Sequence, residues 1–110
     1  MDIVLTGTGS PLPDADRAGP STLVKGGDTH LLVDAGRGVV MRMAGAGSLP
    51  MFLGAVLVTH LHSDHVCDLN DIVTTHWVMS QGNATLPIYG PVGTAQCVER
   101  QLHALEPDIG

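Results

Sequence analysis

The sequence predicts a layered α/β fold in which strands and helices alternate along the chain. Three observations carry this: the apolar run Ala55–Val58 has no polar face, stretches of helical spacing lie on either side of it, and glycine-rich turns punctuate the strands. Asp2–Thr6 is a short β-branched run that ends in Gly7-Thr8-Gly9-Ser10, so it reads as a strand leading into a glycine turn. Pro11–Pro20, with three prolines, is a loop. Ser21–Lys25 and Thr29–Asp34 flank Gly26-Gly27-Asp28 and read as an antiparallel hairpin. Between Arg37 and Ala46, the residues Val40, Met41, Met43 and Ala44 recur at helical spacing, and Gly45 and Gly47 supply stops. Ala55–Thr59 is a buried strand. Val66–Ser80 is predicted as one helix with Val66, Leu69, Val73 and Trp77 on its apolar face, broken over 81–84. Leu86–Tyr89 is a short strand and Gly90-Pro91 a turn. Thr94–Leu105 is a helix that turns Cys97, Val98, Leu102 and Leu105 toward a core, and Glu106-Pro107 ends it. No internal repeat or low-complexity segment interrupts this order.

With 110 residues the chain has room for one unit and not two. Hydrophobic residues make up 44% but aromatics only 3%, so the core is built from Val, Leu, Ile, Met and Ala. The longest apolar runs, Ile3–Leu5 and Ala55–Val58, are too short to span a bilayer, and no basic-then-apolar leader opens the sequence. A soluble, cytoplasmic protein without a membrane partner is expected. Cys67 and Cys97 lack Cys-x-x-Cys spacing, which argues against a disulfide framework or a thiolate zinc site and leaves them as buried free thiols. The net charge of −6, with only five Lys and Arg residues, repels polyanions unless a metal or a further segment adds positive charge. By itself the chain is not a nucleic-acid clamp.

The chemistry concentrates at Thr59-His60-Leu61-His62-Ser63-Asp64-His65. His60, His62, Asp64 and His65 put three imidazoles and one carboxylate within six positions. In an extended segment residues two apart point the same way, so His60 and His62 can pinch one ion. Asp64 and His65 follow where strand gives way to helix, and a tight turn there can aim them at a second ion. Nitrogen and carboxylate donors without thiolate favour Zn²⁺, and Mn²⁺ or Fe²⁺ would tolerate the same set. The competing structural explanation is that Ser63 or Asp64 caps the following helix. His30, His76 and His103 stand outside the cluster and are left out of the site. Catalytic zinc has about three protein ligands plus water, and paired ions lie roughly 3.5–4 Å apart. Two ligands per ion fall short, so the remaining histidines and a bridging carboxylate are expected from sequence beyond these residues. The strand pattern likewise leaves a half-built sheet with no closing element after Gly110.

These residues resemble the metallo-β-lactamase superfamily, whose His-x-His-x-Asp-His signature is matched from His60 to His65. Leu5-Thr6-Gly7-Thr8-Gly9-Ser10-Pro11, Asp34-Ala35-Gly36 and Thr59 narrow the resemblance to its ribonuclease Z-like branch, closest to actinobacterial members. That branch is considerably longer, so residues 1–110 correspond to the N-terminal portion of one domain. The resemblance implies the N-terminal half of an αβ/βα sandwich, two zinc ions in the complete protein, and phosphodiester hydrolysis in tRNA 3′ processing. Carried over by position, His60 and His62 would bind one zinc and Asp64 and His65 the other. Asp64 would also be the general base, and Asp34 would stand behind the ligands and orient a histidine. Ribonucleases Z commonly carry Pro-x-Lys-x-Arg-Asn in the loop after the first strand, whereas this loop reads Pro13-Asp14-Ala15-Asp16-Arg17-Ala18. Arg17 can touch a phosphate or be an ordinary solvated charge; Ala15 and Ala18 can touch none.

Three functions follow. The first is a zinc phosphodiesterase or endoribonuclease acting on tRNA precursors or a small phosphodiester. The second keeps the zinc but takes a small ester, thioester, lactam or sulfate ester, which the acidic charge and few aromatics favour. The third is a truncated, inactive fragment. A homodimer is expected of the complete protein. A dinucleotide site at Gly7-x-Gly9 is rejected, because the third glycine is missing and Pro11 and Pro13 block an immediate helix.

Overall fold

Five strands lie side by side in chain order: β1 (Asp2–Gly7), β2 (Ser21–Gly26), β3 (Thr29–Val33), β4 (Leu53–Leu57) and β5 (Ile88–Tyr89). The computed structural model describes residues 1–82 and 84–109. Asn83, inside the break expected over 81–84, and Gly110 lie outside the described residues. β1, β2 and β3 form an antiparallel meander, whereas β3–β4 and β4–β5 are parallel. Parallel neighbours need crossovers. The first carries α1 (Val39–Gly45) and a 3-10 turn (Pro50–Phe52), and the second carries α2 (Ser63–Val66) and α3 (Leu69–Ser80). Two further helices, α4 (Thr94–His103) and α5 (Glu106–Ile109), follow β5.

Side chains alternate across a strand, so register sorts the sheet into two faces. Val4, Leu23, Leu32, Val56 and Ile88 are paired across the strands and share one face. Leu23, Leu32 and Val56 there are fully buried against Val39 and Met43 of α1 and Leu69 and Ile72 of α3. Each such side chain contributes roughly 1.5–3 kcal/mol on burial. The opposite face carries Ile3, Val24, Leu31 and Ala55 in one row, and Leu5, Thr22, Val33, Leu57 and Tyr89 in the next. It is apolar too, yet Ile3 and Leu5 are 66% and 68% exposed. The helices cover one side of a sheet whose two sides are both apolar.

Several expectations need correction. The helix expected over Val66–Ser80 is two helices, because the chain ties off between them: Asp68 N–H donates to Ala35 O (3.0 Å) and its carboxylate accepts from Gly38 N–H (2.6 Å). The face of α3 is also rotated, with Leu69, Ile72 and His76 buried and Trp77 about half exposed. In α1 the buried residues are Val39 and Met43, while Met41 and Ala44 face out. Pro107 does not end helical structure; it sits in the first turn of α5, where a proline gives up no helical hydrogen bond. Cys67 and Cys97 are free, but Cys67 is exposed and Cys97 half-buried. Partial desolvation pushes the Cys67 thiol above its usual pKa, Asp68 adds to the shift, and Arg37 opposes it. Among the described residues, no helix is long and apolar enough to cross a membrane.

Candidate metal centre

Asp34 and Thr59 follow the C-terminal ends of the parallel strands β3 and β4, the edge of an open α/β sheet where ligands gather. Asp34 N–H donates to Leu57 O (2.8 Å), which ties the two strand ends together. Its φ of 64° is left-handed, a conformation that aspartate tolerates better than most residues. The side chain is buried and accepts three hydrogen bonds. Thr59 N–H donates to Oδ1 (2.8 Å), the Thr59 hydroxyl to Oδ2 (2.8 Å), and His65 Nδ1 to Oδ2 (2.8 Å). The His65 ring thereby keeps Nε2 for another partner. Thr59 Oγ1 also lies 2.9 Å from His60 Nδ1.

The strand end brings the imidazoles together. The His60 ring centroid lies 4.6 Å from that of His62 and 4.0 Å from that of His65, and His65 Nε2 lies 3.7 Å from Asp64 Oδ2. The His60 ring is thus a close neighbour of both others. Asp64 is in the first turn of α2, where a carboxylate suits the helix N-terminus, and no side chain caps that helix. Among the described residues, no three His, Cys, Asp or Glu side chains converge closely enough to hold a metal ion by themselves. In donor chemistry the set fits zinc: three imidazoles, one carboxylate, and a buried acceptor behind one ring. The excluded histidines sit elsewhere. His30 Nδ1 lies 2.6 Å from Ser48 Oγ, His76 is buried, and His103 is exposed beside Glu106 (3.0 Å).

Close backbone contact fixes the loops around this cluster. Gly36 N–H donates to Pro20 O (3.0 Å), Gly19 N–H to Arg37 O (2.8 Å), and Ala35 N–H to His65 O (2.8 Å). A Cβ on Gly36 would lie 2.4 Å from Gly19 C and 2.8 Å from Asp64 O, so only glycine fits. Gly7 is required for a similar reason, since its Cβ would collide with Gly19 O. The glycine turn after β1 therefore packs backbone on backbone. Arg17 is exposed in that loop and, with Ser10, Asp14 and Arg37, lines a cleft of about 280 Å³. Sequence reasoning missed two residues here. Arg37 joins Arg17 in this cleft, and Thr59 bridges Asp34 to His60. The only sequence signals were the position of Arg37 between two glycines and of Thr59 beside the first histidine.

The sheet, its one-sided helices and the histidine-rich strand end define a protein of the metallo-β-lactamase fold. Human tRNase Z, short form, superposes with a TM-score of 0.86 at 26% identity, covering 96% of this chain and 40% of that one. The metallo-β-lactamase fold protein YhfI of Bacillus subtilis superposes at 0.76 with 31% identity, covering 89% and 39%. The family model described as anti-Pycsar protein Apyc1 matches residues 1–98, and the chain belongs to that family. Among curated relatives, a protein named ribonuclease Z from Mycobacterium bovis (strain BCG / Pasteur 1173P2) is 54% identical over 112 residues. Another of that name, from Mycolicibacterium gilvum, is 52% identical. The chain spans about 40% of the length of these relatives.

Proposed function

We propose that the chain is the N-terminal portion of a metallo-β-lactamase domain and supplies part of a two-zinc hydrolytic centre that cleaves phosphodiesters. In this reading His60 and His62 hold one zinc, Asp64 and His65 the other, and ligands from a C-terminal portion complete both. The observation that supports it is the buried Asp34 carboxylate fixing His65 with Nε2 left free, beside two further imidazoles. Zinc, when bound, acidifies water toward a pKa of about 7 and offsets charge on a phosphate. Asp64, in the first turn of α2 after the end of β4, accepts the proton of the attacking water. Arg17 and Arg37 offer guanidinium groups to a substrate phosphate, which two forked donors can orient.

The names of the relatives favour an RNA substrate, and the fullest form of the proposal is a ribonuclease Z-like endoribonuclease acting on tRNA precursors in a homodimer. A second reading, hydrolysis of a small ester, thioester, lactam or sulfate ester, is supported by one feature. The exposed loop beside the cleft offers Ala15 and Ala18 and only Arg17 as a cation, on a chain of net charge −6. Turnover by the zinc-loaded complete protein separates the readings. Cleavage of a tRNA precursor or of bis-p-nitrophenyl phosphate supports the phosphodiesterase, the former also its RNA substrate, whereas hydrolysis of p-nitrophenyl esters alone supports the second reading and overturns the first.

A further inference from the structure

We propose that Thr59 is a positioning residue whose hydroxyl relays the Asp34 carboxylate to His60, so that one buried carboxylate sets the tautomers of both His60 and His65. The number of available hydrogens fixes both rings. A carboxylate only accepts, so Asp34 Oδ2 takes the single hydroxyl hydrogen of Thr59 at 2.8 Å. Thr59 Oγ1 then has only lone pairs to offer His60 Nδ1 at 2.9 Å, and that nitrogen must carry the ring hydrogen. His65 Nδ1 donates to the same Oδ2 at 2.8 Å, which fills both lone pairs of that oxygen. Both rings therefore present a bare Nε2, the form a neutral imidazole needs in order to ligate a metal.

The backbone holds the relay in place. Thr59 N–H donates to Asp34 Oδ1 (2.8 Å), so the threonine is gripped at two points, and a β-branched side chain has few χ1 alternatives. Asp34 is itself 6% exposed. Serine can reproduce the relay and valine cannot, although valine fills the same volume.

The functional consequence rests on the metal-hydrolase reading; the tautomers do not. Long-range ¹H–¹⁵N NMR of the metal-free chain, at a pH above the usual imidazole range, reads which nitrogen of each histidine is protonated. The expected wild-type result is Nδ1–H at both His60 and His65. Thr59→Ser keeps both, whereas Thr59→Val releases His60 into a mixture of tautomers and leaves His65 unchanged. Zinc affinity of the complete protein falls roughly 10- to 100-fold in Thr59→Val and recovers in Thr59→Ser. The relay is overturned by Nε2–H at His60 in the wild type, or by an unchanged His60 in a Thr59→Val chain whose His65 signal stays native. Should Thr59→Val not fold, the wild-type and Thr59→Ser spectra decide alone. Wild-type protein that shows the expected tautomers but takes up no zinc keeps the relay and sinks the metal reading.

Discussion

At the scale of single residues, Asp34 is where structure and proposed chemistry meet. Its left-handed backbone is a conformation that costs on the order of 1 kcal/mol or more for a residue with a side chain. It persists because the carboxylate gathers a backbone N–H, a hydroxyl and an imidazole from the segment after β4. Asp34→Ala should therefore lower unfolding stability by about 3 kcal/mol in urea titrations, since it strands buried donors. Asp34→Asn tolerates the same φ and keeps one acceptor, so it should fall between wild type and Ala; an Ala variant of wild-type stability would remove Asp34 from this role. Asp64 carries a different expectation. If it moves the proton, Asp64→Ala in the complete protein should lower phosphodiester turnover roughly 10²- to 10⁴-fold. Steady-state rates that drop less than tenfold would place the proton transfer elsewhere.

Between elements, the contact to watch is the one at Gly36, where the loops before β2 and before α1 meet the first turn of α2. Gly36→Ala forces a Cβ to within 2.4 Å of Gly19 C and 2.5 Å of Pro20 N, both backbone atoms that cannot rotate away. Thermal melts should show a loss of about 2 kcal/mol or more, with the His60 and His65 NMR signals shifted as the α2 turn moves. Unchanged melting would mean that these loops have more room than their hydrogen bonds allow. The same junction explains what the sequence could reveal. The hairpin and the strand at Ala55–Val58 were legible because glycine turns and apolar runs are local signals. The His-x-His-x-Asp-His cluster was legible for the same reason, since its members lie within six positions. The break between α2 and α3 was not, because it depends on Asp68 bonding to Gly38, thirty residues away. Nor was the part played by Thr59, whose partner Asp34 lies 25 positions earlier. Helical periodicity likewise placed Trp77 on the inner face of α3, where His76 is buried instead and Trp77 is half exposed.

For the whole molecule, the decisive feature is a sheet that is apolar on both faces and covered by helices on one. Register places Ile3 and Leu5 of the edge strand β1 at the ends of the two outer rows, and both are largely exposed. A soluble sheet with one solvated face ordinarily alternates polar residues onto that face. A contiguous apolar surface of this kind binds hydrophobic probes or another surface, and an unguarded edge strand adds a template for pairing. The isolated chain should therefore enhance the fluorescence of an anilinonaphthalene sulfonate probe while its melting remains cooperative, and sedimentation should show association that grows with concentration. Lysine at both Ile3 and Leu5 should reduce the probe signal and the association together. Stability should change by no more than about 0.5 kcal/mol, because neither side chain is buried. If the double lysine variant binds the probe and associates as strongly as wild type, the adhesive surface lies elsewhere, the first alternative being the apolar groove of Leu86, Ile88, Val98 and Leu102 between β5 and α4.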